Sequence, residues 1–254
     1  MRFMARTQPL SQYPILRGLA VIRRLGFDGA EICLENDDLR PAILDERLAF
    51  SVADRAKGLG LSPVSVSYHK DYIYDDRLFQ ESLKAIALTP AFGTNVFVFG
   101  GTVKKSGDAA EWQRMVERTR QLARVAESAG VTLAQEFEPG FIVGSTADLL
   151  RLLEEVPSPA LAANLDLGHA FLTDPDPLES IRLIGGRIAQ CHIENMRVGV
   201  HAHRLPDDGD MDLAAYLRTL REAGFGGGLV LDLYGLDLEE VGPGALAYLR
   251  GLPR

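Results

Sequence analysis

Four short stretches in the second half of the chain each close an apolar run with a residue able to bind a divalent cation. They are Glu136 in Leu133-Ala134-Gln135-Glu136-Phe137-Glu138, Asp166 in Asn164-Leu165-Asp166-Leu167-Gly168-His169, His192 in Gln190-Cys191-His192-Ile193-Glu194, and Asp232 in Leu231-Asp232-Leu233-Tyr234. Side chains alternate faces along a strand, and a carboxylate turned toward an apolar helix layer would be buried without a partner at a cost of several kcal/mol. The inward direction is cheaper, and there the four groups converge. Three carboxylates crowded into a low-dielectric mouth repel one another unless protons or a cation neutralise them. Three oxygen donors and one imidazole fit Mn²⁺, Mg²⁺ or Co²⁺, and Zn²⁺ can also be accommodated. The inventory of two cysteines rules out a thiolate-rich structural zinc site.

Residues so placed need strands to carry them. Short β-rich runs alternate with amphipathic stretches of helical spacing, which predicts repeated βα units and a parallel sheet. The strands are expected at Arg2–Arg6, Gly29–Glu35, Ser62–Tyr68, Asn95–Gly100, Val131–Phe137, Leu161–Asp166, Arg187–Ile193 and Gly228–Leu233, with a short sixth helix. Glycines after Leu25, Leu59, Ala129 and Ala223 mark repeated helix ends, since glycine tolerates the left-handed conformation that closes a helix. Eight strands and eight crossovers in 254 residues predict a single α/β domain over residues 1–254, a (β/α)8 TIM barrel. The longest loops follow the third strand (residues 68–77) and the seventh (195–212). In such a barrel, the loops at the carboxyl ends of the strands build the active site.

Composition narrows the partners. The net charge of −8 and pI of about 5.2 argue against affinity that rests on neutralising phosphates, so nucleic acid is not expected. No stretch approaches the roughly 20 continuous apolar residues needed to cross a bilayer, and the start lacks the apolar core and cleavage site of a secretory signal. A cytoplasmic protein is therefore expected. Cys33 and Cys191 stand in apolar strand-like runs and read as small buried hydrophobes.

The order of these motifs resembles the sugar isomerase/epimerase branch of the xylose-isomerase-like TIM barrels over nearly the whole chain. The resemblance is carried by the Glu on strand five, Asp-x-x-His after strand six, His on strand seven and carboxylate on strand eight. It implies that Glu136, Asp166, His192 and Asp232 hold one divalent metal, while His169 reaches substrate oxygens beside it. It also implies that Glu136 and Asp232, on strands five and eight, move a proton on and off a carbon next to a carbonyl through an enediolate-like intermediate. The expected substrate is a small sugar, keto-sugar, polyol or related hydroxy-carbonyl compound. Relatives often form homo-oligomers. The chain departs from the pattern at Asp232, where the family usually has Glu; the shorter side chain leaves room for a dehydratase on the same platform. Two further alternatives are a nuclease like the apurinic endonucleases and a non-catalytic binding protein. The former build a three-zinc cluster with an Asp-x-His pair where this chain has His201-Ala202-His203, and with a histidine where it has Gly100-Gly101.

The remaining polar residues carry two readings each. Glu138 shares a face with Glu136 and is a substrate group or a solvated loop acid. Asp166 could instead cap the segment that starts near His169. His169 and His192, taken singly, could be histidines satisfied by carbonyls. His203 lies in the loop after strand seven and His69 in the loop after strand three, each a substrate contact or a surface histidine. Arg197, beyond His192, could bind an anionic substrate group, and Glu35 could face the pocket or the solvent.

Overall fold

The computed structural model describes residues 1–253. The strands, in chain order, are β1 (Arg2–Arg6), β2 (Gly29–Cys33), β3 (Ser62–His69), β4 (Val96–Gly100), β5 (Thr132–Glu136), β6 (Leu161–Asp166), β7 (Ile188–Ile193), β8 (Asn195–Arg197), β9 (Val200–Arg204) and β10 (Gly228–Leu231). Eight of them close a barrel in the order β1-β10-β7-β6-β5-β4-β3-β2, and the pairs given by register are parallel. The eight expected strands are all present, with ends shifted by a residue or two; the second stops at Cys33 and the eighth at Leu231, just short of Asp232.

The helices are α1 (Ile15–Arg24), α2 (Glu46–Gly58), α3 (Asp76–Leu88), α4 (Ala109–Ala129), α5 (Thr146–Glu155), α6 (Leu167–Thr173), α7 (Pro177–Ile184), α8 (Leu213–Glu222) and α9 (Leu238–Gly251). The sixth helix is short as expected: α6 ends at Thr173, and α7 follows it within the same crossover after a break at residues 174–176. From α2 to α9 every helix opens on an Asp or Ser whose side chain accepts a backbone N–H, for example Asp45 from Leu48 and Asp108 from Glu111. Such caps stabilise a helix end by about 0.5–2 kcal/mol each. Part of the acidic excess is therefore structural. Gly130 closes α4 at φ +66°, a conformation that a Cβ disfavours.

Outward strand residues such as Ile32, Phe97, Leu133 and Leu165 pack under the helices in one continuous apolar core. The barrel interior differs. Met4, Val98, Ala134 and Val230 are buried there, and nearer the carboxyl ends stands a layer of charged and polar groups that includes Arg6, Glu31, Asp166 and His192. The expected long loop after the seventh strand folds as an antiparallel hairpin of β8 and β9, with Asn195 opposite Arg204 and Arg197 opposite Val200. Among the described residues no helix is long and apolar enough to cross a membrane.

Candidate metal centre and substrate cavity

Glu136 and Asp166 end β5 and β6, and His192 is the penultimate residue of β7; the sheet register pairs Asp166 with His192 and Glu136 with Asn164. One level of the barrel thus receives all three. Their ligand-capable atoms lie within 4.8 Å of one another, and His192 Nδ1 is 3.2 Å from Glu136 Oε2 and 3.8 Å from Asp166 Oδ2. Asp166 Oδ1 accepts the His169 N–H at 2.8 Å and caps α6. Its Oδ2, like His192 Nδ1, makes no well-directed hydrogen bond among the described residues, the nearest groups being other carboxyls: Glu136 Oε2 beside Nδ1, and beside Asp166 the buried Glu194, whose pKa is raised by burial and by Asp166. Capping and metal ligation are therefore compatible, one oxygen for each. Buried lone pairs that face one another unpaired are costly. Two carboxylates and an imidazole form the mixed oxygen and nitrogen set that suits a hard or borderline divalent cation, so the residues present fit the metal implied by the sequence.

Two residues that strand-end inspection missed complete the layer. Glu31, on β2, reaches inside the barrel to β7, where its Oε2 accepts Gln190 Nε2 at 2.6 Å and lies 3.0 Å from His192 Nε2; Ser65 Oγ donates to it as well. With Nε2 held by that carboxylate, His192 turns Nδ1 toward Glu136 and Asp166. Burial pushes the Glu31 carboxyl up, yet the His192 imidazole and Arg6 hold it well below the usual carboxylate range. Arg6, on β1, places Nε 3.0 Å from Glu31 Oε1 and pairs through Nη1 with Asp232 Oδ2. Both residues carried a legible signal: Glu31 is the one charge in β2, and Arg6 is an ionisable residue at the carboxyl end of β1, as Glu136 is of β5. Asp232 is brought beside the cluster, with Oδ2 3.6 Å from His192 Nδ1, but that oxygen is the one Arg6 holds.

Above this layer opens a cavity of about 460 Å³, within the size range of small-molecule sites. His69, Glu138, His169 and His203 all line it, together with Glu136, Asp232 and Arg6. The hairpin delivers His203 and also His201. His169 Nδ1 donates to Phe137 O at 2.9 Å and His203 Nδ1 to Asp232 O at 3.1 Å, which leaves their Nε2 atoms for the cavity side. His201 Nε2 stands 3.2 Å from His169 Nε2. Glu138 is pushed up to about 7, chiefly by burial, with His169 working against the rise and Glu136 adding to it. Glu35 Oε1 accepts the His69 N–H at 2.5 Å and so anchors that histidine's backbone.

Arg197 is not among the cavity residues. It is the exposed residue of β8 and pairs with Asp208 at 2.9 Å. Gly100 has no room for a side chain, because a Cβ there would lie 2.8 Å from Glu136 O.

Residues 19–251 match the family model described as the xylose isomerase-like TIM barrel. The chain belongs to that family. Among curated proteins it is similar to L-ribulose-5-phosphate 3-epimerase UlaE of Salmonella paratyphi A, 23% identical over 86% of this chain and 82% of that protein. It is also similar to fructoselysine 3-epimerase of Escherichia coli O157:H7, 23% identical over 89% of this chain and 88% of that protein. Among solved structures, the probable 3-DHS dehydratase AsbF of Bacillus anthracis superposes with a TM-score of 0.84 at 17% identity, covering 100% of both chains. That last likeness concerns the fold of this xylose isomerase-like barrel alone.

Proposed function

We propose that this xylose isomerase-like barrel is a divalent-metal-dependent epimerase or isomerase of a small sugar or related hydroxy-carbonyl compound. The observation that carries it is the buried Glu136, Asp166 and His192 cluster, whose unpaired Oδ2 and Nδ1 atoms face one another beneath a polar cavity. The two curated relatives, both 3-epimerases, support the same reaction class. A bound Mn²⁺, Mg²⁺, Co²⁺ or Zn²⁺ would polarise a carbonyl and a neighbouring hydroxyl and so acidify the carbon between them. Glu136, Asp166 and His192 would hold it, with Asp232 beside them. Glu136 takes the proton from that carbon to give an enediolate-like intermediate, and Asp232, three strands further round the barrel, is the candidate to return it on the other face. Asn164 Nδ2 donates to Glu136 Oε2 at 2.6 Å and steadies the carboxylate. His169, His203 and His69 orient substrate oxygens, and Glu138 offers one more carboxyl on the same wall.

Arg6 favours a second reading on the same platform. A carboxylate tied to a guanidinium is a poor proton carrier, so abstraction on one side followed by loss of a hydroxyl, a dehydratase reaction, competes with two-sided epimerisation. Incubating the Mn²⁺-loaded protein with a panel of ketoses and inososes in deuterated water tests both. Deuterium at carbon is expected for the epimerase or isomerase and loss of water for the dehydratase, and Glu136→Gln abolishes both. A full panel with neither exchange nor loss of water refutes both readings.

A further inference from the structure

We propose that Arg6 is a positioning residue that withholds Asp232 from the metal, so that the cation is held by three protein ligands rather than four. The inference rests on the metal reading above and deepens it. Arg6 and Asp232 are 226 residues apart in sequence and adjacent in space because barrel closure pairs β1 with β10. The contact is specific to one atom: Asp232 Oδ2, which faces His192 Nδ1 at 3.6 Å, is the oxygen that Arg6 Nη1 occupies.

Neither partner is free to leave. Arg6 is 6% exposed and Asp232 2% exposed, so the pair lies out of bulk solvent, and removing one partner would leave the other as an uncompensated buried charge. Glu31 Oε1 lies 3.0 Å from Nε on a second side of the same guanidinium, an ion-pair contact rather than a directed hydrogen bond. For Asp232 to ligate through Oδ2, it must give up Arg6; its other oxygen, Oδ1, has no hydrogen-bond partner among the described residues but lies toward His203, 3.9 Å from Nδ1, outside the Glu136, Asp166 and His192 group. A glutamate at this position could reach past the guanidinium, whereas the aspartate is one methylene shorter. With three ligands from the chain, more of the coordination sphere is left to substrate oxygens.

The experiment measures affinity for Mn²⁺ alone, by competition with a fluorescent chelator, on the full chain and on Asp166→Asn, Asp232→Asn, Arg6→Gln, Arg6→Lys and the Arg6→Gln/Asp232→Asn double variant. Asp166→Asn is expected to weaken binding by about 100-fold or more, and Asp232→Asn to stay within about threefold of the unaltered chain. Arg6→Gln releases a carboxylate to the metal and is expected to tighten binding by about tenfold, a gain that the double variant loses. Arg6→Lys keeps the charge but not the fork and falls between. If Arg6→Gln does not fold, Asp232→Asn and Arg6→Lys still decide the matter. Weakening by Asp232→Asn as great as by Asp166→Asn overturns the Arg6 assignment and leaves the metal site standing. Absence of Mn²⁺ binding by the unaltered chain overturns the metal reading, and this inference with it.

Discussion

Glu31 Oε2 lies 3.0 Å from His192 Nε2, joining β2 to β7 across the inside of the barrel. A carboxylate behind a metal-binding imidazole fixes its tautomer, aims the other nitrogen and raises its basicity. Glu31→Gln is accordingly expected to lower Mn²⁺ affinity by about 10–100-fold while the chain stays folded, read by chelator competition and far-UV circular dichroism. Unchanged affinity would mean that Glu31 does not set the His192 tautomer.

Metal should also stabilise the fold by mass action. At free Mn²⁺ a hundredfold above its Kd the gain is about 2.7 kcal/mol, so Tm should fall on treatment with chelator and recover as Mn²⁺ is restored. In Asp166→Asn the Oδ1 cap of α6 is retained while the unpaired Oδ2 is replaced. Its Tm should lose the dependence on Mn²⁺ concentration. A variant that still responds like the unaltered chain would remove Asp166 from the ligand set.

Gly100→Ala tests how closely β4 approaches the site. The added Cβ would sit 2.8 Å from Glu136 O and 3.3 Å from Glu136 Cβ, and the first of these is backbone that cannot rotate away. A destabilisation of about 1–3 kcal/mol is expected in urea denaturation, accompanied by weaker Mn²⁺ binding because Glu136 must shift. A fully stable alanine variant with unaltered metal affinity would contradict the close approach.

Glu111, far from the metal centre, governs an acid-sensitive contact. Its carboxylate accepts the Lys105 N–H at 2.7 Å, the Gly107 N–H at 2.6 Å and the Tyr74 O–H at 2.6 Å. Burial opposes ionisation, yet these donors bring the carboxyl down from 4.5 to about 2. A depressed folded-state pKa contributes stability that is complete above the unfolded value and is lost as pH falls toward the folded value. The stability difference between the unaltered chain and Glu111→Gln should therefore be largest above about pH 5 and shrink between about pH 4.5 and 2. Denaturant titrations at several pH values that showed a constant difference would refute it.

Much of the fold was legible in the sequence because it is written in local terms. The eight strands follow from apolar runs between glycine-punctuated helices, and Glu136, Asp166 and His192 follow from parity, since an ionisable group at the end of an apolar strand has only the barrel interior to face. The same rule could have found Glu31 and Arg6, the charges inside the first two strands. What no local pattern contains is the partner each one meets. Arg6 acquires Asp232 only because the first strand closes against the last, and Glu31 acquires His192 only because the interior is narrow enough to span. Arg197 shows the converse, lying near His192 in sequence yet standing on the exposed face of β8, paired with Asp208. Sequence alone determined which groups had to be inside; closure of the barrel decided which of them share charge, and that sharing separates Asp232 from the three residues beside it.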